Sequence, residues 1–388
     1  MIEKKNGVAI RLAALWLVCW LCYGADLESL RREHRWFDLR EALKTQNGST
    51  LDRGAAAAAF QQLREAERWL KTSRDNAARD VLSAMFVRNG LYQKARAVLK
   101  ANQTVAEDRE GIGTLSQLAD QSLVSTGMSR IRGEIRWSLL FAPVSVNGHN
   151  AEALLDTGSD TSVVSESEAS RLGLKIAGAA TLTSLSEQKG SARLGSAEHF
   201  EIGGLRLRNV AFWILSDEQA PFKNLPPGER VILGLPVLLA MGGLRWSQDG
   251  TIEIGTRIVG HDPNLCFDRM DPIVKVESQG KNLEMLFDTG STQTNLLPRF
   301  LRDFPEMALA AKGASNTIRG VMGSTEVESE ELEQITLRLH GTDVMVRPAR
   351  ILMKSPIESG ERLHGWLGFD SLERGGAVDF RAMIATIE

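Results

Sequence analysis

The chain has 388 residues, 43% of them apolar and 24% charged, with a formal net charge of −3. That length predicts two or three folding units, and the apolar share excludes a disordered chain. With no basic excess to neutralise phosphates, nucleic acid is excluded as an expected partner.

The first 25 residues differ from the rest. Lys4, Lys5 and Arg11 precede an apolar run from Leu12 to Tyr23, and the small residues Gly24 and Ala25 follow. That order predicts a secretory signal peptide over residues 1–25. The run is shorter than the ~20 residues that span a bilayer as a helix. An uncleaved N-terminal anchor is the other reading, because Tyr23 is bulky where a cleavage site wants a small residue. Both readings predict an exported protein, periplasmic or extracytoplasmic, with membrane contact only if the segment stays attached. Cys19 and Cys22 would leave with a cleaved leader, and Cys266 alone would remain. The mature fold would then rest on its apolar core rather than on a disulfide. No Cys/His spacing suits zinc, so no metal and no cofactor is expected. The chemistry falls to carboxylates, hydroxyls and backbone.

From Asp26 to about Asn102 the sequence is rich in Ala and Leu and free of proline. Leu63, Ala66 and Leu70, then Leu82, Met85 and Phe86, recur at helical spacing and predict amphipathic helices. We assign residues 26–127 to an α-helical domain. Its stretch Leu82 to Leu99, with Gly90, Tyr92 and Ala95, resembles the second half of a tetratricopeptide repeat. An ordinary helical hairpin fits the same residues, and stacked repeats need about three copies.

Beyond a polar stretch the period changes to two. Leu139, Leu140, Val144 and Val146, the turn Asn147-Gly148, and Ala153 to Leu155 read as strand, tight turn and strand. Short strands and Gly-rich turns continue to the C-terminus, interrupted briefly by a helix at Glu166 to Leu172. Within this β region the chain repeats itself. Residues 153–159 read Ala-Leu-Leu-Asp-Thr-Gly-Ser, and residues 285–291 read Met-Leu-Phe-Asp-Thr-Gly-Ser, an offset of 132 (288 minus 156). Ile232-Leu233-Gly234 is echoed by Trp366-Leu367-Gly368, an offset of 134 (366 minus 232). Between them each copy carries a strand-turn-strand segment, from Thr181 through Gly190 to Phe200 and from Thr317 through Gly320 and Gly323 to Val327. Two copies in one order predict two similar lobes, 128–258 and 259–388.

Each Asp-Thr-Gly-Ser loop delivers a carboxylate from the end of an apolar strand, with Gly allowing a sharp turn and Thr and Ser supplying hydroxyls. One loop offers a positioned carboxylate and little more. Two facing loops offer a pair that cannot both ionise cheaply when they lie about 3 Å apart, so the pair holds one proton. The ionised partner can then act as general base toward water while the protonated one donates to a substrate carbonyl.

These repeated elements resemble the pepsin/retropepsin superfamily, and in particular bacterial proteins with retroviral-like aspartyl protease domains, over about residues 130–388. The resemblance implies a mainly β fold: two tandem retropepsin-like lobes forming a bilobal, β-barrel-type protease after the helical domain. It implies Asp156 and Asp288 as the catalytic pair and an aspartic endopeptidase activity on peptide or protein substrates. Thr157 and Thr289 would brace the loops, Ser159 and Ser291 would hydrogen-bond the carboxylates, and Gly158 and Gly290 would form the turns. Gly234 and Gly368 would back the loops, and Gly190, Gly320 and Gly323 would lie on flap hairpins that bind substrate. Pepsin-like enzymes carry a flap tyrosine, but Tyr23 and Tyr92 are the only tyrosines here and neither is in the β lobes. That moves the resemblance toward the retropepsin-like branch and leaves a flap contact open to Trp213 or another residue.

With both lobes in one chain, a monomer suffices for the pair. The alternative is an inactive peptide-binding module of the same fold, its helical domain docking a protein partner. The acidic run Glu326 to Glu333 reads as solvated, and His199, His261, His340 and His364 as ordinary surface or partly packed residues. Trp246 and Trp366 read as core, and Leu225 to Gly228 as a surface turn.

Overall fold

A computed structural model describes residues 26–100, 111–183, 189–260, 262–320, 323–355 and 358–388. The leader with Cys19 and Cys22, together with His261, lies outside the described residues. Helices come first: Leu27–Arg32, Trp36–Ala42, Thr50–Ala59, Leu63–Leu70, Asn76–Arg88, Tyr92–Lys100 and Ile112–Leu115. Local chemistry sets their starts. Asp26 and Asp75 accept N–H bonds from Glu28 and Ala77, and Ser49 and Asp52 form a reciprocal capping box at the head of the alanine-rich helix. Ala55 to Ala59 are all buried, and Gly54 lies directly against Leu70, so small side chains let helices Thr50–Ala59 and Leu63–Leu70 pack closely. None of the described helices is long and apolar enough to cross a membrane.

Three sheets follow. An eleven-stranded sheet belongs to the first lobe and a ten-stranded sheet to the second. The same connections recur in both. Strand His149–Leu155 pairs in parallel with Val231–Leu233, and Lys281–Phe287 pairs in parallel with Gly365–Leu367. Ser162–Ser165 and Asn295–Leu296 run antiparallel to those same partners. Short helices Glu166–Arg171 and Pro298–Asp303 then lead into long hairpins, Lys175–Thr183 with Lys189–Ala197 and Lys312–Gly320 with Gly323–Leu332. In strand His149–Leu155 the buried positions alternate until the last three residues, which are buried on both faces. Lys281–Phe287 repeats that pattern residue for residue.

The third sheet joins the lobes. Its five strands run Ser129–Arg132, Thr251–Ile254, Gly243–Ser247, Gly375–Asp379 and Ile384–Ile387. The two central strands are equivalent members of the repeat, 132 residues apart (375 minus 243). They pair antiparallel with Arg245 opposite Ala377, which puts a pseudo-twofold axis between the lobes. One difference from the sequence reading lies at the domain edge. Ser122–Ser125, inside the stretch assigned to the helical domain, is a strand paired with Leu205–Arg208 of the first lobe. Its Leu123 and Val124 are exposed, so it carries no alternating burial pattern to mark it.

The helices dock on both lobes. Against the second, Asp268 is buried and accepts from His34 Nδ1 at 2.6 Å and from Arg362 Nη1 at 2.5 Å. Burial alone would raise the Asp268 carboxyl, but the His34 hydrogen bond and the His34 and Arg362 charges outweigh it and hold it below its ordinary value. The buried Arg88 donates to Arg269 O at 2.5 Å and to Ala58 O, with its guanidinium 4.5 Å from the centre of the Phe267 ring. Against the first lobe, Gln121 Nε2 donates to Pro236 O at 2.8 Å, and Gly111 lies over Trp213.

Candidate active site

Asp156 follows strand His149–Leu155 and Asp288 follows Lys281–Phe287. Each is pinned by its own lobe, Asp156 N donating to Leu233 O at 3.0 Å and Asp288 N to Leu367 O at 3.1 Å. The loop then turns back on its carboxylate. Gly158 N donates to Asp156 Oδ1 at 2.8 Å and Gly290 N to Asp288 Oδ1 at 3.0 Å. The N–H groups of Ser159 and Ser291 donate to the backbone carbonyls of Asp156 and Asp288, at 3.4 and 3.2 Å, and lie near enough to the carboxylates to favour their ionised forms.

The two loops lock to one another through their threonines. Thr157 N donates to Thr289 Oγ1 and Thr289 N to Thr157 Oγ1, both at 3.0 Å. The hydroxyls then donate across the axis, Thr157 to Phe287 O at 2.5 Å and Thr289 to Leu155 O at 2.7 Å. Both threonines are buried, and this reciprocal set satisfies the N–H and the hydroxyl of each. The approach is so close that each Gly faces the other loop's carboxyl. A Cβ on Gly158 would stand 2.5 Å from Asp288 Oδ1, and one on Gly290 would overlap the Asp156 carboxyl. Only glycine fits there, for lack of space rather than for its backbone freedom.

The two carboxyls meet at the crossing, each against the other loop's glycine, and burial pushes both above the ordinary carboxylate value. Burial first, and then the Asp288 charge, push Asp156 well above the ordinary carboxylate value. Burial raises Asp288 to about 6, against the N–H donation that favours its ionised form. Such values belong to the pair rather than to either residue. The arrangement can hold one proton between two oxygens and supply an acid and a base at one point.

The aspartyl protease family model matches residues 142–237, which hold the first loop with its supporting strands and hairpin. The second loop repeats that geometry across the pseudo-twofold axis. The chain has a pepsin/retropepsin-like aspartic protease fold. Among solved structures, it is similar to a retropepsin-like aspartic protease from Rickettsia conorii, at 18% identity over 34% of this chain and 93% of that one, with a TM-score of 0.25. It is also similar to basic 7S globulin from soybean, at 11% identity over 67% of this chain and 94% of that one, with a TM-score of 0.40. No curated protein matches the sequence.

Within this aspartic protease fold the remaining expected residues take definite places. A Cβ on Gly234 would meet Ser159 O, and one on Gly368 would meet Gln293 O, each at 2.5 Å, so both glycines lie directly behind the loops. Gly320 pairs with Gly323 at the end of the second hairpin, and Gly190 pairs with Leu182 near the end of the first. The tips themselves, 184–188 and 321–322, lie outside the described residues. The serines differ from expectation. Ser159 Oγ donates to Thr161 O at 2.8 Å and Ser291 Oγ to Gln293 O at 2.9 Å, so the hydroxyls brace their own loops while the glycine N–H groups donate to the carboxylates. The short Asp-Thr-Gly-Ser turn brings the backbone donors to the carboxylate first.

Trp366 and His364 are placed more specifically than the sequence reading had them. Trp366 is buried, yet its indole Nε1 donates to Ser291 Oγ at 3.1 Å and to Gln293 O at 3.0 Å, so it touches the Asp288 loop. The signal was present: the second copy has Trp where the first has Ile232. His364 is buried and paired, its Nε2 2.8 Å from Asp303 Oδ2 and its Nδ1 accepting from Glu284 N at 3.0 Å. The acidic run, expected as a solvated surface strand or turn, includes part of strand Gly323–Leu332, where Glu328 is exposed and Glu331 meets Arg350 at 3.1 Å. Trp213 lies in strand Val210–Leu215, paired with Leu194 of the first hairpin and buried beneath Gly111. Trp246 is core as expected, its Nε1 donating to Leu372 O at 2.9 Å.

Proposed function

We propose that the chain is an aspartic endopeptidase that hydrolyses peptide bonds with a water activated between Asp156 and Asp288. The observation that carries this reading is the mutual placement of the two carboxyls, each facing the other loop's glycine and both pushed above the usual carboxylate range. In the one-proton state the ionised carboxylate takes a proton from water as it attacks the scissile carbonyl. The protonated partner donates to the carbonyl oxygen, and the proton then passes to the leaving amine. No covalent intermediate is needed. Extended peptide would lie between the lobes and pair its backbone with the hairpins, as a strand adds to a sheet. One chain supplies both loops, so the site does not require a second copy.

The test is cleavage of a denatured protein mixture across about pH 3 to 7, the range in which such a pair shares a proton. Activity in the wild type that is lost in both Asp156→Asn and Asp288→Asn, with the fold intact by circular dichroism, supports the reading. Wild type as inert as both variants at every pH overturns it. We also infer export, from Lys4, Lys5 and Arg11 ahead of the apolar run Leu12 to Tyr23. N-terminal sequencing of the mature protein checks it, and an intact Met1 in a cytoplasmic fraction would contradict it.

A further inference from the structure

The two loops share their threonine lock and their backing glycines, but they are fastened by different side chains. In the first, Thr161 O accepts from Ser159 Oγ. At the equivalent point in the second, Gln293 O accepts from Ser291 Oγ at 2.9 Å, Trp366 Nε1 at 3.0 Å and Asn295 Nδ2 at 3.1 Å. A carbonyl has two lone pairs, so the third donor is shared, and the indole N–H divides itself between Gln293 O and Ser291 Oγ. In the first loop the matching strand position is Ile232, opposite Leu154 and Val163, and neither Ile232 nor Val163 has a donor to offer. The same loop is fastened once more from behind. Thr294 donates from N and Oγ1 to Asp370 Oδ1 at 2.9 and 2.7 Å, whereas Pro236 follows Leu235 where Asp370 follows Phe369.

We propose that Trp366 is a positioning residue for Asp288, fastening that loop through a donor that has no counterpart at Ile232 in the other lobe. The indole N–H acts through Gln293 O and Ser291 Oγ and does not touch the carboxyl. Its effect is to hold the Asp288 carboxyl at the short separation from Asp156 that forces the two to share a proton. Without it the loop relaxes and the carboxyls draw apart. Repulsion against the second ionisation then weakens, so the upper of the pair's two pKa values falls and the lower one rises. The one-proton window narrows from both sides. This inference rests on the protease reading only for its kinetic consequence; the asymmetry of the loops stands apart from it.

Trp366→Phe keeps the ring and removes the donor. Amide exchange over residues 290–294 is expected to quicken by roughly tenfold in that variant while residues 158–162 keep their wild-type rates. In the same variant kcat should fall by roughly ten- to a hundredfold with KM little changed, as loss of alignment predicts. The alkaline limb of its pH profile should move to lower pH, which a purely packing role would not cause. Wild-type exchange over 290–294 with a wild-type pH profile overturns the proposal. If Trp366→Phe does not fold, Ser291→Ala removes one acceptor of the same bond and is read in the same two ways. If the wild type cleaves nothing, the protease reading falls, and the exchange comparison still decides the role of Trp366.

Discussion

The two lobes are built to one plan and used differently by the rest of the chain. Both present Asp-Thr-Gly-Ser from the end of a strand, both cross-bond through a buried threonine, and both place a glycine behind the loop. The first lobe meets the helical domain mainly through apolar and backbone contacts such as Gly111 on Trp213 and Gln121 on Pro236. The second shares an apolar core with the helices, including Phe37 and Phe267, and is gripped in addition by buried charge, through His34 on Asp268 and Arg88 on the Arg269 carbonyl. Symmetry is therefore kept where two carboxyls must meet and abandoned a few residues away. Chemistry that needs an equal pair and a body that needs one anchored half can coexist because the parts nearest the axis, the two loops and the paired strands Gly243–Ser247 and Gly375–Asp379, keep the repeat while the outer faces do not.

The largest expected effect breaks the symmetry at the carboxyls. Asp156→Asn and Asp288→Asn should each reduce cleavage by at least roughly a thousandfold, since either removes the shared proton's second site. Equal losses would mark the pair as one unit, while a variant retaining activity would show that one carboxyl works alone. The same substitution should act in the opposite direction on stability. A raised folded-state pKa means that the native pair holds its proton more tightly than the unfolded chain does. Stability is then full below the ordinary carboxylate value and declines as pH rises toward and through about 6 for Asp288. Asp288→Asn should therefore melt higher than wild type at pH 7, by ~1–3 kcal/mol, and lose that advantage near pH 3. Thermal melts across pH measure it.

Next come the glycines. Gly290→Ala would drive a methyl into the Asp156 carboxyl, and Gly158→Ala would place one against Asp288. Each should cost ~1–3 kcal/mol from overpacking and cut activity by roughly a hundredfold through carboxyl displacement. If alanine at either position leaves activity intact, the loops are farther apart in solution than the threonine bonds imply. Thr157→Val and Thr289→Val then ask whether the lock is symmetric. Each removes one hydroxyl and strands a buried N–H of the other loop, at ~1–3 kcal/mol. The double variant should cost less than the sum of the two, since the pair forms one reciprocal set.

The loops were legible in the sequence because they are local, repeated and chemically spare: a short motif at a fixed offset, with its own glycine downstream. The serine hydroxyls were misassigned because a residue type cannot say whether its O–H turns to the carboxylate or to its own loop. Trp366 looked like core because an indole is apolar over most of its surface, although comparison with Ile232 marked it as an unequal member of the repeat. The seam was not legible at all. His34 and Asp268 lie 234 residues apart, and neither carries a local pattern. A charge becomes a buried partner only once a fold brings its counterpart to it.

The seam also supplies the smallest expected effect and a direct test of how unequally the lobes are anchored. His34→Asn removes the imidazole whose bond and charge help hold Asp268 below its ordinary pKa, leaving Arg362 as the remaining partner of that carboxylate. A depressed folded-state pKa contributes stability above the unfolded value, and that contribution is lost as pH falls through the folded one. The variant should therefore be less stable than wild type at pH 6 by ~1 kcal/mol, and the gap should close as the pH falls through the lowered Asp268 pKa. Because the seam lies on the second lobe, amide exchange should quicken in strand Leu265–Asp268 and helix Trp36–Ala42, with the Gly111–Trp213 contact on the first lobe unaffected. Equal loosening of both lobes would mean that the helices behave as one rigid cap, and that the charged seam holds the whole body rather than its second half.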